Sequence, residues 1–177
     1  MKDATTAPPF AGLPPGQIGL LVDDLHAAMT SWSAVLGRAD WLVYTYGPQN
    51  LKNASYRSAP SGFAMRLALI GSNPQMELIE PLAGPSIYTD WIAERGYGLH
   101  HIGFYVPSIG DAIRKARDAG FEPIQSADGY GLHGDGGFAY FDTSAHLDVI
   151  TELIEVPSVR RPNEHEVEGN RNDCSVR

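Results

Sequence analysis

The chain begins with polar, small and proline residues and settles into a regular hydrophobic pattern near Gln17. Gln17 to Val22 is a short apolar run that reads as a strand. Asp23-Asp24 follows, after which Leu25, Ala28, Met29, Trp32, Val35 and Leu36 recur on one face of a helix that stops at Gly37. The same grammar returns downstream. His101 to Val106 is a strand, Pro107-Ser108 precedes a helix carrying Ile109, Ala112, Ile113 and Ala116, and Gly120 ends it. Trp41 to Tyr46, Phe63 to Ile70 and Gln75 to Glu80 supply further strands in the first half; Glu122 to Ser126, Gly137 to Asp142 and Val149 to Val156 do so in the second. The pattern is βαβββ twice.

The letters repeat along with the elements. Gln17-Ile18-Gly19-Leu20-Leu21-Val22 is answered by His101-Ile102-Gly103-Phe104-Tyr105-Val106, and Glu77-Leu78-Ile79-Glu80 by Glu152-Leu153-Ile154-Glu155. A repeat of this length points to two similar modules. The fold class is therefore α+β, with two βαβββ modules forming a curved mixed sheet around a shared cup. Each module carries one polar residue able to bind a metal near its start (Gln17 or His101) and one carboxylate near its end (Glu77 or Glu152). Strand alternation puts Glu77 and Ile79 on one face and Leu78 and Glu80 on the other, but does not say which face looks inward.

The length of 177 residues and a 43% hydrophobic content suit one domain. Its expected extent is residues 16–156, with module 1 at about 16–96 and module 2 at about 97–156. Residues 1–15, with Pro8, Pro9, Pro14 and Pro15, read as an extended lead-in, and the polar stretch 157–177 as a disordered or loosely docked tail. A formal charge of -8 argues against nucleic acid or an anionic membrane as the main partner, and the doublet Arg160-Arg161 is too small to reverse that. No run approaches the roughly 18 apolar residues of a membrane helix, and the first residues lack the pattern of a signal peptide, so a cytoplasmic protein is expected. Cys174 is the single cysteine, which excludes an internal disulfide and a cysteine-based zinc site.

The paired modules, the Ile-Gly openings after Gln17 and His101, and the Glu-Leu-Ile-Glu closings together resemble the vicinal oxygen chelate superfamily. That superfamily includes glyoxalase I, methylmalonyl-CoA epimerase, extradiol dioxygenases and bleomycin-resistance proteins. The resemblance covers about residues 16–156. It implies that one metal ligand comes from the opening strand and one from the closing strand of each module, which here gives Gln17, Glu77, His101 and Glu152. It selects the first glutamate of each closing over Glu80 and Glu155. The repeat favours His101 over His100, because His101 is the counterpart of Gln17 and adjacent strand residues face opposite sides.

Two carboxylates neutralise a divalent cation, the imidazole adds a borderline donor and the amide oxygen a neutral hard one. The set suits Zn, Ni, Co, Mn, Mg or Fe. The activity implied is proton transfer at a carbon next to a carbonyl, by an epimerase, isomerase or lyase acting on a small metabolite, aromatic or acyl-thioester, with Glu152 or Glu77 as the base. The Gln/Glu/His/Glu order also resembles glyoxalase I (lactoylglutathione lyase), and a metal-free binding protein of the bleomycin-resistance type is the reading from another class. A homodimer is the expected assembly by the same resemblance.

His133 lies in the glycine-rich stretch Gly129 to Gly137, read as a mobile loop able to cover the cup and shuttle a proton, against the plainer reading of an exposed loop histidine. His26 and His146 are expected at the surface. Lys52, Arg57 and Arg66 are the basic residues available for a CoA phosphate, and the many aromatics are assigned to core or pocket wall without distinction.

Overall fold

A computed structural model of the chain describes residues 10–160. In chain order the elements are β1 (Gln17–Leu21), α1 (Leu25–Leu36), β2 (Leu42–Tyr46), β3 (Lys52–Tyr56), β4 (Ala59–Pro60), β5 (Ala64–Ile70), β6 (Gln75–Ala83), α2 (Ile87–Arg95), β7 (Gly98–Tyr105), α3 (Ile109–Asp118), β8 (Gln125–Tyr130), β9 (Gly136–Phe141), α4 (Ser144–Leu147) and β10 (Ile150–Glu155). The strands form one curled mixed sheet in the order β2-β5-β6-β1-β7-β10-β9-β8-β3-β4. Each half has the same plan, an opening strand parallel to its closing strand: β1 beside β6, and β7 beside β10. The halves join where β1 runs antiparallel to β7.

The expected βαβββ repeat is present, with additions. β3 and β4 follow β2 in the chain but lie at the far edge, β3 paired on β8 and β4 on β3. Residues 47–51 therefore bridge the two ends of the sheet, which draws its edges together until the Tyr46 and Tyr130 rings lie 5.1 Å apart. The Lys-Asn-Ala-Ser-Tyr sequence of β3 lacks apolar alternation because it is half exposed, and so carries no strand signal. α2 was not expected either. Its start is set by a capping box in which Ser86 and Thr89 each accept a bond from the other's backbone, and it lays Tyr88 and Trp91 against the inner face. β8 falls at Gln125–Tyr130 rather than Glu122 to Ser126.

Helices α1 and α3 cover the convex side. Leu25 packs with Val43, Ala68 and Leu78, and Ile109 and Ala116 pack with Ala139, Phe141 and Leu153. The Asp24 carboxylate accepts the Ala27 N–H at 2.8 Å to start α1, and Gly37, at φ 67°, ends it in the left-handed conformation that glycine tolerates. Phe10 and Leu13 of the lead-in join the α3 cluster, with the Phe10 ring 5.3 Å from Phe104. At the other end, Pro157 is buried and backbone bonds at Ser158 and Val159 hold the start of the polar tail; the rest of that tail lies outside the described residues. Among the described residues no helix is long and apolar enough to cross a membrane.

Candidate metal centre

The self-complementary register of β1 and β7 explains the Ile-Gly repeat. Ile18 faces Ile102, Gln17 faces Gly103, and Gly19 faces His101. A Cβ on Gly19 would lie 1.8 Å from Cε1 of His101, and one on Gly103 would lie 3.0 Å from Cβ of Gln17 and 2.7 Å from Cδ1 of Ile154. Each module's glycine thus makes room for the other module's polar side chain. On the outer flanks, Gly19 pairs with Glu77 of β6 and Gly103 with Glu152 of β10, the same register in both halves. The repeat brings four polar side chains from four strands to the floor of the cup, all buried: Gln17, Glu77, His101 and Glu152.

His101 Nε2 lies 3.0 Å from Glu152 Oε2, 3.2 Å from Glu77 Oε2 and 3.5 Å from Gln17 Oε1. The Gln17 amide nitrogen donates to Gln75 Oε1 at 3.1 Å, which turns the amide oxygen inward. Glu80 and Glu155 point elsewhere. Glu80 pairs with Arg66 at 2.9 Å, and Glu155 accepts the Ile109 N–H at 2.8 Å, capping α3.

His100 departs from strict alternation. The β1/β7 register passes from Gly19↔His101 to Leu20↔Leu99, leaving His100 as the extra residue of a β-bulge. Both imidazoles are consequently buried on the inner side, and of the two it is His101 that meets the glutamates. His100 sits behind His101, ringed by Trp91, Tyr88 and Tyr140 with centroids at 5.2, 5.5 and 5.8 Å. The two Nδ1 atoms are 3.0 Å apart, so one donates and the other accepts.

Electrostatics settles which. Burial, and then the neighbouring His101, pull the His100 imidazole well below its usual pKa, so it stays neutral. Burial also pulls His101 down, but Glu152 and Glu77 more than reverse this and raise it to about 9. Burial lifts the Glu152 carboxyl above the usual carboxylate value, with His101 opposing. Protonated His101 therefore donates Nδ1–H to His100, a bond that would be kept if Nε2 gave up its proton in favour of a cation.

The residues fit a divalent cation. Glu77 Oε2 and Glu152 Oε2 are buried without a well-formed hydrogen bond, yet both converge on one imidazole nitrogen whose single N–H cannot satisfy two carboxylates. The ligand atoms of Glu77, His101 and Glu152 lie within 4.8 Å of one another. Two carboxylates, an imidazole and an amide oxygen form a shell suited to a hard or borderline ion.

The cup above this floor is walled by Met65, Leu67, Leu69 and Phe138, with Tyr88 and Tyr140 deep inside and Tyr46, Tyr130 and Arg160 also lining it. The Tyr88 hydroxyl donates to Tyr140 at 3.1 Å. His133 has no place in it. It is exposed on the turn between β8 and β9, because Gly129, Gly131 and Gly134 adopt positive φ and fold the stretch into a tight hairpin rather than a lid. His26 and His146 are exposed. Arg57 is engaged by Asp90 at 2.9 Å. The residues that sequence reasoning missed are His100, hidden by the bulge, and Arg160, hidden by the polar composition around it.

Comparison with known proteins agrees with this architecture. The model of the Glyoxalase/Bleomycin resistance protein/Dioxygenase superfamily matches residues 16–141. YqjC of Bacillus subtilis (strain 168), an uncharacterized protein, is 26% identical over 151 residues, covering 84% of this chain and 96% of its own. A variant of Streptomyces coelicolor methylmalonyl-CoA epimerase in complex with 2-nitronate-propionyl-CoA is similar in structure, with a TM-score of 0.59 at 22% identity over 85% of this chain and 99% of that one. The methylmalonyl-CoA epimerase of Mycobacterium tuberculosis gives a TM-score of 0.54 at 18% identity, over 89% and 93% of the two chains. At these identities the structural likeness is one of fold.

Proposed function

Because the chain belongs to the Glyoxalase/Bleomycin resistance protein/Dioxygenase superfamily, we propose that it is a divalent-metal-dependent enzyme that moves a proton at a carbon next to a carbonyl, in the manner of an epimerase. The observation that carries this reading is the pair of buried carboxylate oxygens, without hydrogen bonds of their own, that meet beside His101 Nε2 and the Gln17 amide oxygen. Gln17, Glu77, His101 and Glu152 would hold the ion, and the chemistry it would supply is electrophilic polarisation of the carbonyl, which acidifies the neighbouring C–H.

The chain's own residues do the rest. Glu152, whose carboxyl burial raises above the ordinary range in the metal-free protein, is the base that takes the proton. Glu77, its counterpart in the other module, stands across His101 at a similar distance and is placed to return a proton from the other side. Two bases related by the module repeat suit inversion at one carbon; return to the adjacent carbon would instead give isomerisation. The apolar and tyrosine walls keep water from the reacting carbon. His100 keeps the His101 ring turned toward the glutamates through the Nδ1–Nδ1 bond.

The structural neighbours make an acyl-thioester the first substrate class to try. Metal-loaded protein incubated in deuterium oxide with methylmalonyl-CoA and a panel of acyl-thioesters, ketones and hydroxyacids should wash deuterium into at least one substrate. Glu152→Gln should abolish that exchange. Absence of exchange across the panel, with turnover of methylglyoxal plus glutathione instead, would replace this reading with glyoxalase I; tight retention of a ligand by metal-free protein without turnover would replace it with a binding protein.

A further inference from the structure

We infer that Arg160 is the anion-recognising residue of the cup and that the substrate carries a carboxylate at the end opposite the one presented to the glutamates. This rests on the proton-transfer reading for the identity of the cup as a substrate site. The argument begins with pairing. Among the described residues Arg38, Arg57, Arg66, Arg95, Arg114 and Arg117 each have a carboxylate within salt-bridge distance, whereas Arg160 has none. Its guanidinium is nevertheless enclosed. Cζ lies 4.7 Å from the Tyr44 ring centroid and 5.5 Å from that of Tyr130, and Nη1 donates to the Tyr46 hydroxyl at 2.5 Å.

The placement is built rather than incidental. The Ser158 N–H donates to Asp135 Oδ2 at 3.0 Å, and the Leu132 N–H to the Val159 carbonyl at 2.7 Å. Pro157 lies so close to Gly131 that a Cβ there would come within 2.3 Å of the proline. The β8–β9 turn, whose histidine stays outside the cup, thus serves as the anchor that delivers Arg160 into it.

Arg160 lines the same cavity as Gln17, Glu77 and Glu152, and Tyr130 lies within electrostatic reach of Arg160 and of both glutamates. A divalent ion would balance the two glutamates, leaving the guanidinium as the uncompensated charge of the cup. With one donor on Tyr46 and aromatic faces about it, the fork keeps further N–H groups for a planar, bidentate partner, and a carboxylate is the matching shape. Such an anchor would fix which end of the substrate enters first and hold the reacting carbon over the glutamates.

The test is calorimetric titration of full-length protein, with and without Co(II), against malonate, succinate, glutarate and adipate and against monocarboxylates of the same chain lengths. Wild type should bind at least one dicarboxylate roughly tenfold or more tightly than its monocarboxylate counterpart. Arg160→Gln should erase that preference with Co(II) stoichiometry unchanged, Arg160→Lys should keep part of it, and Tyr46→Phe should reduce it less. Should Arg160→Gln fail to fold, Arg160→Lys and Tyr46→Phe decide, since unchanged preference in both overturns the assignment. So does equal preference in Arg160→Gln, or none in wild type, either of which makes the residue a structural plug. A preference lost in Arg160→Gln by a protein that takes up no metal and exchanges no deuterium would refute the proposed chemistry while leaving the anion site standing.

Discussion

The two halves of the cup share a backbone and differ in what they hang on it. Gly19 and Gly103 occupy the same register, each beside its module's glutamate and opposite the other module's donor. Yet the first half presents the amide Gln17, steadied by Gln75, and the second presents the imidazole His101, steadied by His100 through a bulge found on β7. A neutral oxygen donor on one side and a titrating nitrogen on the other make the site chemically asymmetric within a symmetric frame. The lesson is that duplication supplies the convergence, while divergence at single positions supplies the different roles.

The glycines give the sharpest way to break this comparison. Gly19→Ala would drive a methyl into the His101 ring at 1.8 Å, whereas Gly103→Ala meets its neighbours at 2.7 to 3.1 Å, the nearest of them the flexible end of Ile154 and the others in Gln17. Gly19→Ala should cost about 3 kcal/mol or more and lose metal altogether; Gly103→Ala should cost about 1–2 kcal/mol and retain metal, as denaturant melts and elemental analysis would check. Next in size, Glu77→Gln or Glu152→Gln should weaken metal affinity by about 100-fold or more, since each removes a charge that the cation would neutralise. The two should differ in turnover, with Glu152→Gln the more damaging because Glu152 is the proposed base.

A smaller effect probes the asymmetric support. His100→Phe keeps ring volume but removes the acceptor for His101 Nδ1–H, and should lower metal affinity by about tenfold to 100-fold, while Gln75→Leu should lower it only a few-fold. An isotherm in which Gln75→Leu is the worse variant would reverse the assigned roles. The smallest effect is on pH dependence. Metal-free His101 is raised from 6.5 to about 9, so its contribution to stability is complete below pH 6.5 and fades as the pH climbs through 9. The raised Glu152 carboxyl acts in the same direction, because the folded state again holds the extra proton. Metal-free protein should therefore lose stability toward alkaline pH, and thermal melts of metal-loaded protein should lose less.

How much of this was legible beforehand follows from the physics of each element. The duplicated Ile-Gly and Glu-Leu-Ile-Glu strings were visible because close packing at β1/β7 demands glycine at 19 and 103, and that demand leaves a mark in the letters. The inward choice of Glu77 and Glu152 over Glu80 and Glu155 was not readable from alternation; it came from the family resemblance. His100 escaped because a bulge adds one residue without altering composition. β3 escaped because an exposed edge strand need not alternate. Arg160 was hidden in a stretch whose polarity suggested solvent, although backbone bonds to Asp135 and Leu132 pin the segment. His133 is exposed, as its plainer reading had it, and glycines that build a tight hairpin look, in sequence, like those of a flexible lid.

The most direct measurement is calorimetric titration of stripped, full-length protein with a divalent cation near pH 7, in buffers of different ionisation enthalpy. One ion per chain is expected, with about one proton released from His101 and an affinity that rises about tenfold per pH unit until it levels near pH 9. Absence of saturable binding, or binding of equal strength by His101→Ala, would contradict the claim that Gln17, Glu77, His101 and Glu152 form a metal centre.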